Sequence, residues 1–79
     1  SYISIYKPSD RDCIVMEGLS NVQSGHVTLY NIMGQEILSK TLQTGLSTQN
    51  ISTAGLTTGI YVIKLEVDST LISKKFLIN

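Results

Sequence analysis

Few residues in this 79-residue chain have the chemistry to carry a reaction, and none has the company that chemistry needs. His26 is the one histidine. A catalytic nucleophile needs a base held by a third group, yet His26 follows Gly25 at a strand start with no carboxylate near it in sequence, and a solvated strand-end residue is expected. Cys13 is the one cysteine, which excludes both an intramolecular disulfide and a cysteine zinc cluster. Strand alternation groups it with Val15 and Glu17, opposite Ile14 and Met16, as a small and partly exposed filler. Asp10-Arg11-Asp12 lacks the ligand count and spacing of a calcium loop, so it reads as a solvated connector. The stretch AGLTTG has no following lysine and leads into a strand, which is not how a phosphate loop is built. No catalytic residue, metal site or cofactor is therefore expected.

Composition narrows the partners. Six basic and six acidic residues leave a net charge of zero, so the electrostatic footprint of a nucleic-acid partner is missing. No apolar run approaches the ~18–20 residues of a spanning helix, and direct membrane insertion is not expected. A chain this short buries about 60–65% of its extended surface, enough for one domain with a modest core. It begins with Ser1, and SYISIY alternates at once with no charged leader, so residues 1–79 read as a single domain excised from a larger secreted protein.

The elements that would hold any site are strands. β-branched residues and tyrosines recur at period two between Gly, Asn, Asp and Ser punctuation, with no stretch of period 3.6. Strands are expected near 2–6, 13–17, 26–32, 36–42, 47–52, 59–67 and 70–78. Seven short strands with turn signals every 8–12 residues predict an all-β fold, a seven-stranded immunoglobulin-like two-sheet β-sandwich with Greek-key connections. KPSDRD, with the one proline, is expected to cross between the sheets.

Two turns carry structural motifs. In LYNIMGQEIL, Gly34 is expected to supply the positive φ of a short bulged hairpin, where a bulky residue would cost stability. In LTTGIY, Gly59 enters a long strand and Tyr61 follows two residues later, the pattern of a tyrosine corner whose hydroxyl returns to backbone upstream. In the final hairpin, Tyr61, Ile63, Leu65 and Val67 form the core face and Ile60, Val62, Lys64 and Glu66 the other. A turn centred on Asp68-Ser69 pairs Tyr61 with Phe76 and Leu65 with Ile72. A one-residue slip would instead oppose Lys64 and Lys74, which is unfavourable. Adjacent Lys74 and Lys75 must then interrupt one face each, as edge protection or as recognition residues.

HVTLYNIMGQEIL, NISTAGLTTGIYVIKLEV and ISKKFLIN, in that order, resemble the C-terminal domain that marks cargo for the type IX secretion system of certain Gram-negative bacteria. The resemblance rests on Val27, Leu29, Tyr30, Asn31 and Gly34, then Ile51, Ser52, Leu56, Gly59 and Tyr61, then Lys74, Lys75 and Phe76. Where that family usually opens with Pro-Asn-Pro, this chain has Lys7-Pro8-Ser9.

The resemblance implies a non-enzymatic secretion signal. It would direct a cargo protein through the periplasm and across the outer membrane to the cell surface or medium, with removal of the domain and surface anchoring of the cargo. The implied partners are an outer-membrane shuttle β-barrel and a sortase-like peptidase. The last strand would dock by strand addition, with Lys74, Lys75, Phe76, Leu77 and Ile78 as recognition residues and backbone hydrogen bonds supplying affinity. Uncapped sheet edges in the isolated domain can also self-associate without physiological meaning. The alternative is a non-catalytic immunoglobulin- or fibronectin-like binding or spacer module of a cell-surface protein.

Overall fold

The period-two pattern becomes two antiparallel sheets in a computed structural model that describes residues 2–79. The strands are β1 Ser4–Tyr6, β2 Cys13–Glu17, β3 Gly25–Asn31, β4 Glu36–Thr41, β5 Thr48–Ser52, β6 Gly59–Val67 and β7 Thr70–Ile78. One sheet has the order β1-β2-β5 and the other β4-β3-β6-β7. After the β3–β4 hairpin the chain visits the first sheet as β5 and returns as β6 beside β3, the Greek-key step.

The core lies between the inner faces. Ile14, Met16 and Ile51 come from the three-stranded sheet, and Val27, Leu29, Tyr61, Ile63 and Leu65 from the other. Ile63 and Leu65 sit on the long central strand β6 and are fully buried. Each such side chain contributes about 1.5–3 kcal/mol relative to an exposed one. β2 departs from simple alternation, because Val15 is buried as well as Ile14 and Met16. It is the middle strand of its sheet, and Tyr6 and Asn50 lie directly opposite Val15 on either side.

The expected crossing at KPSDRD is not there. Residues 7–12 instead join β1 to β2 within one sheet, with Ile5 opposite Met16. The Lys7 ammonium donates to the Pro8 and Arg11 carbonyls at 3.3 and 3.2 Å, folding the segment onto itself. The three real crossings are 18–24, 42–47 and 53–58.

Buried or turn side chains pin two of these crossings to the backbone. Gln49, buried on β5, accepts from the Gln43 N–H at 2.8 Å and donates to the Gln43 and Leu46 carbonyls, holding the 42–47 crossing. Asp68, in the β6–β7 turn, accepts from the N–H groups of Gln23 and Ser24 at 3.1 Å and ties down the 18–24 crossing. It does so from a left-handed conformation, φ 53°, which Asp tolerates better than most side chains.

The β3–β4 turn shows why glycine stands at position 34. Gly34 has φ 84° and donates to the Asn31 carbonyl, while the Asn31 side-chain oxygen accepts from Met33 and Gln35. A Cβ on Gly34 would meet nothing within 4 Å, so the requirement comes from backbone conformation and not from space.

Candidate functional site

β7 lies at the edge of its sheet and carries apolar residues on both faces. It pairs with β6 over nine residues, with Tyr61 opposite Phe76 and Leu65 opposite Ile72, the register expected from charge repulsion. Strands covered on both faces carry apolar residues on both. In β7, Ile72, Phe76 and Ile78 point inward and Leu71 and Leu77 outward. Leu71 and Leu77 are 61% and 60% exposed, although β7 lies at the edge of its sheet.

Two adjacent lysines interrupt this pattern at its centre, and the pleat sends them to different places. Lys74 lies opposite core residue Ile63 and therefore faces inward. Its ammonium crosses the open side of the sandwich to the Ile5 carbonyl on β1 at 2.6 Å and sits 5.3 Å from the Phe76 ring centroid. Lys75 lies opposite Val62 on the outer face, beside exposed Leu77 and the Ile60 opposite it. Of the five residues expected to act in recognition, Lys75 and Leu77 thus share the outer face, while Lys74, Phe76 and Ile78 share the inner one.

The opposite side of the sandwich repeats the device. Lys40 on edge strand β4 also has inward parity, next but one to core-facing Leu38, and it donates to the Asn50 carbonyl on β5 at 3.1 Å. Inward-pointing charges on edge strands oppose edge-to-edge aggregation. This second stitch was not read from the sequence, because nothing local marks Lys40 as inward when a bulge separates it from the β3–β4 turn.

The backbone at the β7 edge is also defined. In a two-residue hairpin the flanking pair, here Val67 and Thr70, exchanges both hydrogen bonds. Alternation then turns the N–H and C=O groups of Leu71, Ser73, Lys75 and Leu77 away from β6, toward the free edge. A groove beside this edge is lined by Ile3 and Ile5 of the neighbouring chain segment and by Ile72, Ser73 and Lys74.

The Tyr61 hydroxyl donates to the Thr57 carbonyl at 2.8 Å, the geometry of a tyrosine corner, and lies 3.2 Å from the Thr57 hydroxyl. Gly59 pairs with Ile78, and a Cβ there would make only an ordinary contact with the Tyr61 ring at 3.9 Å. Half-buried His26 contacts the hydroxyls of Thr41 and Ser39 at 3.3 and 3.2 Å. The sheet does bring Glu66 opposite it, but the ring nitrogens are engaged with hydroxyls. Cys13 is a half-buried free thiol. Among the described residues, no three His, Cys, Asp or Glu converge where they could hold a metal ion.

Two packed antiparallel sheets with this strand order define an immunoglobulin-like β-sandwich. A DUF3244 family protein with an immunoglobulin-like β-sandwich fold, from Bacteroides vulgatus ATCC 8482, superposes with a TM-score of 0.83. The match covers 98% of this chain and 83% of that one at 12% identity, which establishes the shared fold. The chain belongs to the family of secretion system C-terminal sorting domains, whose profile matches residues 8–79. No curated protein matches it in sequence. Family and fold together point to a non-catalytic module, of the type IX sorting class that the sequence resembles.

Proposed function

We propose that this domain is the signal by which a secreted cargo protein is carried across the outer membrane through the type IX secretion system. The observation that carries this reading is the family match over residues 8–79, which takes in strands β2 to β7. The cargo precedes the domain, and the domain does no chemistry of its own. An outer-membrane shuttle barrel receives it, and a sortase-like peptidase removes it and anchors the cargo at the surface.

Recognition falls on β7. A nine-residue edge strand with apolar residues on both faces and unpaired backbone groups along one side is suited to strand addition. The exposure of Leu71 and Leu77 supports this assignment. Lys75 supplies a charge beside them, whereas Lys74 serves mainly to hold β1 against β7.

The test is export of a reporter. Residues 1–79 are fused behind a fluorescent protein bearing a periplasmic signal peptide, in a bacterium with a working type IX system. Fluorescence at the surface or in the medium, lost when the 79 residues are omitted, is the expected result. Periplasmic retention of both fusions would overturn the reading.

A further inference from the structure

We infer that the strand accepted by the β7 edge is an extended partner segment that is apolar on both faces and carries an acidic residue opposite Lys75. This rests on the strand-addition reading above and adds the chemistry of the partner. An added strand continues the pleat, so its outward side chains would lie beside Leu71, Ser73, Lys75 and Leu77. Its inward side chains would cover Ile72 and Phe76, which the domain leaves half-buried. Apolar residues therefore suit both faces of the partner.

Charge decides the centre. Residues 70–79 contain two lysines and no carboxylate side chain, and both lysines lie midway along β7. Lys64, diagonal to Lys75 on the same outer face, adds a third positive charge, its ammonium 5.1 Å from the Tyr30 ring centroid. Opposite charges across a strand pair stabilise it and like charges destabilise it. A Glu or Asp facing Lys75 meets this condition.

A second copy of this chain is disfavoured by like charge. Two β7 strands paired antiparallel over their full length are centred on Lys74, so Lys74 would oppose Lys74 and each Lys75 would oppose Ser73. One directly opposed lysine pair, with the two Lys75 side chains diagonal to each other, would crowd the middle of the new ladder. The other edges offer less to a partner: β1 has three residues, β5 exposes Thr48, Asn50 and Ser52, and Lys40 is tied across the β4 side.

The test uses the 79-residue domain, labelled with 15N, and two nine-residue acetylated peptide amides of Val and Thr with Glu or Lys at the fourth position, which faces Lys75 when the peptide pairs antiparallel along Thr70–Ile78. The Glu peptide is expected to shift and protect from exchange the amides of Leu71, Ser73, Lys75 and Leu77, and to bind at least about fivefold more tightly than the Lys peptide. Lys75→Glu should weaken the Glu peptide by about fivefold or more while leaving the spectrum otherwise folded. Equal binding of both peptides, binding at another edge, no binding at millimolar peptide, or dimerisation of the domain through β7 would each overturn the inference. Export of the reporter is measured separately, so loss of peptide binding with export intact removes this inference and leaves the sorting reading standing.

Discussion

The Lys74 ammonium and the Ile5 carbonyl meet at 2.6 Å although 69 positions separate them in the chain. This contact joins the free edges of the two sheets, with Lys40 and Asn50 doing the same on the far side. Neighbouring lysines 74 and 75 consequently have different jobs. Replacing Lys74 with Met should cost about 1 kcal/mol through the lost charge-assisted hydrogen bond. Lys75→Gln should stay within about 0.5 kcal/mol, as for surface changes that break no contact. Urea unfolding followed by circular dichroism measures both, and equal losses would show that the stitch contributes nothing particular.

This division could be half-read from the sequence. Alternation alone says that adjacent lysines on a strand face opposite ways, and the repulsion between Lys64 and Lys74 selects the observed register. What alternation cannot give is the distance between sheets, so the Ile5 and Asn50 carbonyls as acceptors needed the packed structure. The KPSDRD segment failed for a related reason. A proline and charges mark a turn, but whether the turn stays in its sheet depends on the pairing of three-residue β1, too short to carry a strong pattern. The tyrosine corner was legible because Tyr61 donates to a backbone carbonyl only four residues away.

Tyr61→Phe isolates that corner. The ring stays in the core while the Thr57 carbonyl loses its donor, and a loss of about 1–2 kcal/mol is expected in thermal or urea unfolding. A neutral result would mean that water replaces the hydroxyl without cost.

Thr53 offers a change in the opposite direction. Its hydroxyl is buried and has no hydrogen-bond partner. Thr53→Val keeps the shape and removes an unsatisfied polar atom, so stability should rise by about 1 kcal/mol. A fall in the urea midpoint would show that the hydroxyl has a role at that position.

Tyr6 predicts a response to alkali. Its hydroxyl donates to the Glu17 carboxylate at 2.9 Å, and that hydrogen bond, then desolvation, then the Glu17 charge raise its pKa above the ordinary value of 10.0. The folded state therefore holds the phenol proton more tightly than the unfolded chain does. The resulting stability is fully present below about pH 10 and falls as pH rises through the raised value. Tyr6→Phe should remove this part of the alkaline dependence, which unfolding curves between pH 8 and 11.5 would reveal; an unchanged slope in the variant would contradict it.

If the outward face of β7 carries the export signal, changing its side chains without unfolding the domain must stop export. The reporter fused to residues 1–79 is compared with the same fusion bearing Lys75→Glu and Leu77→Ser, after circular dichroism and urea unfolding confirm that the variant domain is folded. Wild-type reporter is expected at the surface or in the medium, and the folded variant is expected to be held in the periplasm. Undiminished export of the folded variant would contradict it.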